Sequence, residues 1–182
     1  MLRGENVILT EIRSDDSKTL YNWINDAETV RWNAPYVPVT SAQHAAWFDR
    51  LGADPSRVVF AVRKASDGPA IGVIQLIDVH WVHQSAELTI RIGDERYQGK
   101  GLGTEAIGLA TRFAFDDMNL QRLWLRVFHT NGRAIKAYQN AGFEIEGTLR
   151  RAAFIKGCWL DMVVMANLRG GNEPSNLTGS VA

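Results

Sequence analysis

The stretch Ala86-Glu-Leu-Thr-Ile-Arg-Ile-Gly-Asp-Glu-Arg-Tyr-Gln-Gly-Lys-Gly-Leu-Gly103 organises the chain. It opens as an alternating strand, with Leu88, Ile90 and Ile92 on one face and Glu87, Thr89 and Arg91 on the other. The alternation breaks at Gly93-Asp94, and a glycine-rich turn runs from Gln98 to Gly103. A helix follows at once, because Leu102, Ala106, Leu109, Ala110 and Phe113 recur at helical spacing. A strand that enters such a turn and opens a helix builds an anion site. Glycines let backbone N–H groups approach a phosphate unobstructed. The helix N-terminus adds roughly half a positive charge. Arg96 and Lys100 bring further positive charge beside it.

Spacing excludes two phosphate loops. A Walker-type loop needs Gly-Lys followed by Ser or Thr, and Lys100 is followed by Gly101. A dinucleotide fingerprint needs G-x-G-x-x-G, whereas Gly99, Gly101 and Gly103 are spaced G-x-G-x-G. It also needs an acid about 20 residues on, at the end of a second strand. Here Asp116 and Asp117 fall on the helix instead. The bland alternative is a turn that serves strand-to-helix geometry alone.

Composition sets wider bounds. A chain of 182 residues suits one domain with a sizeable core, placed at residues 1–169. The tail 170–182 is rich in Gly, Asn, Ser and Thr and is expected to be flexible. The formal net charge is zero, which argues against nucleic acid as a bulk partner. No apolar run has the length of a membrane span, and the N-terminus lacks an apolar signal region. A single cysteine, Cys158, cannot form an internal disulfide, so the expectation is a reduced, cytoplasmic protein. Four scattered histidines and one cysteine have no metal-ligand spacing, so no metal is expected.

Periodicity places a first strand at Val7 to Ile12 and a helix from Asp15 to about Asn25, capped by Ser14. Asp26 to Pro38 reads as a loop, and Thr40 or Ser41 caps a helix carrying His44, Trp47, Phe48 and Leu51. Strands follow at Arg57 to Lys64 and Ala70 to His80, joined by the turn Ser66-Asp-Gly-Pro69. After the central helix come a strand from Arg122 to Phe128 and a helix from Arg133 to Asn140, ended by Gly142. A hairpin from Phe143 to Phe154 and Trp159 to Ala166 turns across Lys156-Gly157. This order suits an α/β (α+β) fold: a mixed, mostly antiparallel sheet of about seven strands with helices on both faces. One strand–helix–strand unit is expected to be parallel and right-handed.

Two motifs carry a family resemblance. Gln98-Gly-Lys-Gly-Leu-Gly103 resembles the pyrophosphate loop of the GCN5-related N-acetyltransferases. Asn131-Gly-Arg-Ala-Ile-Lys-Ala-Tyr138-Gln-Asn-Ala-Gly142-Phe143 resembles the family's second signature, an Asn after the fifth strand and a Tyr on the next helix. The resemblance covers about residues 5 to 168. Glu146-Gly-Thr-Leu-Arg150 and the Lys156-Gly157 turn are most similar to the branch of ribosomal-protein N-terminal and spermidine acetyltransferases. Asn22-Trp23 and the segment from His44 to Phe48 are weakly similar to amino-sugar acetyltransferases.

The resemblance implies acetyl-coenzyme A as acyl donor. The fourth and fifth strands would splay to admit its pantetheine arm, which would pair with backbone groups of Ile90, Arg91 and Ile92. The amides of Gln98, Gly99, Lys100, Gly101, Leu102, Gly103 and Thr104 would hold the pyrophosphate, with Arg96 beside them. Asn131 would bond the pantetheine or the loop around it, and Arg133 or Lys136 would meet the adenosine phosphate. The amide near Ile92 would serve the oxyanion. Tyr138 is the candidate general acid for the departing thiolate. Its alternative is a packed aromatic in a stripe with Ala134 and Ala141. Glu87 is the candidate base, with a plain ion pair to a neighbouring basic group as its alternative.

Asp26, Glu28, Trp32, Tyr36 and His80 are the acceptor-site candidates, since acids and aromatics together suit a cationic amine. His44, His129 and Cys158 are expected to be structural or bystanders, which implies direct transfer in a ternary complex. The expected function is N-acetylation of a small primary amine: a polyamine, amino sugar or aminoglycoside. A protein N-terminus as acceptor, or a non-catalytic acyl-coenzyme A binding module, are the alternatives. Exposed edges of the last hairpin could pair two copies as a homodimer.

Overall fold

The computed structural model describes residues 1–32 and 37–171. Its strands are β1 (Leu2–Arg3), β2 (Ile8–Thr10), β3 (Val58–Arg63), β4 (Ala70–His80), β5 (Ser85–Ile92), β6 (Arg122–Phe128), β7 (Glu144–Ile155) and β8 (Cys158–Leu168). Helices are α1 (Ser17–Ile24), α2 (Ala27–Val30), α3 (Ser41–Asp49), α4 (Leu102–Asp116) and α5 (Gly132–Asn140). The strands form one eight-stranded sheet in the order β1-β2-β3-β4-β5-β6-β8-β7. The count exceeds the expected seven because Leu2 and Arg3 pair back on Leu9 and Ile8. Only β5 and β6 run parallel, joined through α4, and the remaining pairs are antiparallel.

The two sheet faces are covered differently. Alternation sends Ile74, Leu76, Leu88, Leu123 and Leu125 to one side, where they pack with Leu102, Ala106, Leu109 and Ala110 of α4. Each such fully buried aliphatic side chain contributes about 1.5–3 kcal/mol. Phe60 meets Phe113 of α4 edge-on at 5.3 Å, and Tyr138 of α5 joins the same core. Here α4 and α5 share one face.

Helices α1 to α3 cover the opposite face. Its anchor is the buried guanidinium of Arg63 on β3. Arg63 donates to both carboxylate oxygens of Asp16, to Thr10 Oγ1 at 2.8 Å and to the Gly68 carbonyl at 2.8 Å. Asp16 also accepts from the Arg13 amide at 2.8 Å. A buried charge is tolerated only when paired and hydrogen-bonded in this way. The expected helix from Asp15 is therefore split. A 3₁₀ turn, Ser14–Asp16, points Asp16 inward before α1 begins at Ser17.

The expected loop from Asp26 to Pro38 contains a helical turn, α2, because Asp26 accepts from the Glu28 amide at 2.9 Å and caps it. Thr40 caps α3 with a reciprocal bond to Gln43, as expected of one of its two candidate caps.

Candidate active site

Strands β5 and β6 begin together and then part. Their parallel pairing comprises Ser85↔Arg122, Ala86↔Leu123 and Glu87↔Trp124. Beyond this point β5 stays on β4 as far as Ile92↔Gly72, and β6 stays on β8 as far as Phe128↔Met162. The β5 edge from Leu88 to Ile92 therefore faces a wedge rather than a neighbouring strand. A cavity of about 1310 Å³ occupies that wedge and continues beneath α1 to α3.

The glycine loop lies along one end of the cavity, lined by Gln98, Gly99, Gly101, Gly103 and Thr104. Gly99 and Gly101 have φ of 71° and 77°, the left-handed region that glycine enters without Cβ strain. Gly101 is the N-cap of α4 and offers no side-chain acceptor. The first bond into the helix runs from the Glu105 amide to the Gly101 carbonyl at 3.0 Å. The amides before it are left open to an anion. Gln98 secures the loop, donating to the Ile92 carbonyl at 2.9 Å and accepting from Arg133 at 3.0 Å.

The expected residues separate into those that meet here and those that do not. Ile90, Arg91, Ile92, Asn131, Arg133, Lys136, Tyr138 and Glu87 line the cavity with the loop. Asn131 caps α5 by accepting from the Ala134 amide at 3.2 Å. Arg96 turns outward and pairs with Asp94 at 2.7 Å, with its side chain 82% exposed, so it is not among the lining residues. The side chains of Lys100 and Leu102 are also outside: Lys100 is exposed and Leu102 packs into the core.

Tyr138 is buried, tilted against Phe143 at 6.0 Å, and at the cavity wall. Burial pushes its phenol pKa up to about 12, so it stays protonated at neutral pH. Glu87 is buried, and both its oxygens accept from Arg126, at 3.1 and 3.0 Å. The ion pair weighed as its alternative is thus present. Arg126 was not singled out in the sequence, although it shares its strand face with Trp124 and Phe128.

Acceptor candidates divide as well. Glu28 and Trp32 line the cavity, with Trp23, Trp47 and Gln43 around them. Asp26 does not line it, because its carboxylate is taken by the Glu28 amide and the Thr29 hydroxyl. His80 does not line it either. A bulge at Asp78, with φ of 51°, shifts the register before His80, which stacks on His83 at 4.0 Å in the exposed hairpin. Tyr36 lies outside the described residues.

The anticipated acidic pocket is corrected by its partners. Glu28 pairs with Arg31 at 2.6 Å and with Lys156 at 3.4 Å, and Glu87 pairs with Arg126. These two acids are matched by cations of the protein itself.

Trp23 closes the cavity over the end of β5. A Cβ on Gly93 would fall 2.1 Å from the Trp23 ring. The sequence marked Gly93 only as a break, and its close approach to the indole is a tertiary requirement. Gly93→Ala is expected to displace Trp23 and raise the acceptor KM several-fold, while calorimetry shows coenzyme A affinity retained. An unchanged acceptor KM would show that Trp23 does not shape the acceptor site.

Among the described residues, no group of three His, Cys, Asp or Glu side chains is placed to hold a metal ion. No described helix is long and apolar enough to cross a membrane.

A parted strand pair, an open-amide glycine loop at a helix N-terminus and a tyrosine on the following helix define an acyl-coenzyme A transferase site. Residues 6–144 match the acetyltransferase (GNAT) domain family, and the chain belongs to it. It is an acetyl-coenzyme A-dependent N-acetyltransferase. It is 32% identical over 167 residues to spermidine N(1)-acetyltransferase of Escherichia coli K12, covering 91% of this chain and 87% of that one. It is 24% identical over 166 residues to aminoglycoside N(6′)-acetyltransferase type 1 of Klebsiella pneumoniae, covering 80% and 78%. Among solved structures it resembles spermidine N-acetyltransferase from Vibrio cholerae in complex with coenzyme A and spermine. That match has a TM-score of 0.83 and 27% identity, over 90% of this chain and 95% of that one. These relatives support the spermidine-acetyltransferase side of the expected branch and not the ribosomal-protein side.

Proposed function

We propose that the wedge between β5 and β6 seats the donor and that the space beneath α1 to α3 seats the amine. The observation that carries this reading is the loss of β5–β6 pairing after Glu87↔Trp124, directly beside the open amides of the glycine loop. The donor set fits acetyl-coenzyme A. The amides from Gly99 to Thr104 hold the pyrophosphate, the Gln98 amide being taken by the Glu95 carbonyl at 3.1 Å, and the Ile90–Ile92 backbone bonds the pantetheine arm. Asn131 steadies that arm, and Arg133 and Lys136 meet the adenosine phosphate. Acetyl-coenzyme A supplies a thioester carbonyl and a thiol leaving group. The backbone N–H near Ile92 stabilises negative charge on the carbonyl oxygen. Tyr138 supplies the proton that the leaving sulfur takes up.

Glu87 keeps free lone pairs on both oxygens beyond its bonds to Arg126. They receive a proton from the attacking amine, directly or through water. Glu87→Gln is then expected to lower kcat/KM by roughly 10²-fold. A variant that keeps the wild-type kcat/KM would reduce Glu87 to an ion-pair partner of Arg126.

The acceptor is a small primary amine. Spermidine, spermine and aminoglycoside amines head the panel to be tried because the relatives carry those names. Thiol release from acetyl-coenzyme A, followed across such a panel, tests the activity. Tight coenzyme A binding with no thiol release for any amine would favour a non-catalytic acyl-coenzyme A binding module instead.

A further inference from the structure

On the face of β5 beneath α1 to α3, one cation is left over. Arg91 lines the cavity, yet its Nε is buried without a hydrogen-bond partner. Among the described residues no acid pairs with its guanidinium. Of the other charged groups, Glu28 is matched with Arg31 and Lys156, Glu87 with Arg126, and Arg57 with Gln75 at 3.4 Å and Asp54 at 3.8 Å; Glu95 lines the cavity on the far side of Gly93 and is exposed. Burial also pushes the Arg91 pKa below its usual value, so its charge is held at a cost that an anion would relieve.

Strand parity separates this charge from the cofactor phosphates. Ile92 reaches toward Gly103 of the glycine loop, at 3.7 Å from where a Cβ would stand. Arg91 is the next residue along an alternating strand and points the other way. Glu87, bonded to Arg126, and Gly93, covered by Trp23, share its parity. Arg91 is thus on the acceptor side. A bare polyamine brings only positive charge to this place, and like charges brought together out of water repel strongly.

We propose that the acceptor is a primary amine that carries its own anionic group, a carboxylate or phosphate, which docks on the Arg91 guanidinium. A planar guanidinium fork binds either oxyanion through two parallel hydrogen bonds. The inference rests on the amine-acetylation reading and narrows its substrate class. Arg91 here is a specificity-determining residue, through its side chain rather than its backbone.

Three probes of matched length test it: putrescine, 4-aminobutyrate and 3-aminopropyl phosphate. One anionic probe is expected to exceed putrescine in kcat/KM by roughly 10–100-fold, the scale of a charge-assisted contact. Whichever anionic probe leads identifies carboxylate or phosphate. Arg91→Gln is expected to erase the preference through KM, with coenzyme A affinity unchanged, and Arg91→Lys to retain part of it. Calorimetry of each probe on wild-type protein saturated with coenzyme A reads acceptor binding without turnover. Absence of thiol release would thus count against the amine-acetylation reading alone. Putrescine binding as well as or better than both anionic probes would overturn the proposal, as would loss of coenzyme A affinity in Arg91→Gln.

Discussion

Tyr138→Phe is expected to lower turnover by roughly 10²–10⁴-fold, the scale of a general acid, while leaving acetyl-coenzyme A affinity nearly intact. Phenylalanine keeps the ring, its packing on Phe143 and the apolar contacts of α5, and loses only the hydroxyl. Because burial raises the phenol to about 12, Tyr138 stays in its donating form across the working range. It therefore contributes no falling limb to the kcat profile below pH 10, its usual value. The sign for stability follows from linkage. Between pH 10.0 and about 12 the unfolded chain releases this proton and the folded chain keeps it, so stability falls as pH rises through that window. Both effects trace to one hydroxyl, so the Phe variant should lose both turnover and that alkaline sensitivity. Turnover equal to wild type would remove Tyr138 from the chemistry and leave it a packed aromatic.

Asp16→Ala is expected to destabilise the fold by roughly 3–5 kcal/mol, because it leaves the Arg63 guanidinium buried without its counter-ion. For a chain of this length the thermal midpoint should drop by roughly 6–20 °C. The ion pair binds the 3₁₀ turn that precedes α1 to β3, and α1 carries Trp23 across Gly93. Residual folded protein should consequently show a raised acceptor KM together with its lower stability. Pairing Asp16→Ala with Arg63→Met should recover much of the loss, because an apolar pair of similar volume needs no counter-ion. A single variant as stable as wild type would mean that water or Thr10 and Gly68 suffice for Arg63.

Much of this site was legible along the chain because its parts are local. The G-x-G-x-G spacing demands left-handed glycines at a helix N-cap, and Gly99 and Gly101 adopt them. Asn131 and Tyr138 are seven residues apart, so two turns of α5 set their relation. Strand parity put Glu87, Thr89 and Arg91 on one face before any partner was known. Other expectations failed for equally physical reasons. Arg96 had a nearer acid in Asp94, and Asp26 was needed by its own helix cap. A bulge that no periodicity reveals carried His80 away from the cavity.

The sequence by itself determined the strand–loop–helix with its glycine-rich turn, the helix that carries Tyr138, and the α/β architecture around them. Hydrogen bonding, glycine conformation and hydrophobic periodicity act over a few residues and can be read in order. Only the tertiary structure decided the charge of the acceptor space. It joined Glu87 to Arg126 across 39 positions and Glu28 to Lys156 across 128, and it left Arg91 without an acid among the described residues. Charge pairing depends on which distant side chains the sheet and helices bring within a few ångströms, and linear order does not encode that distance.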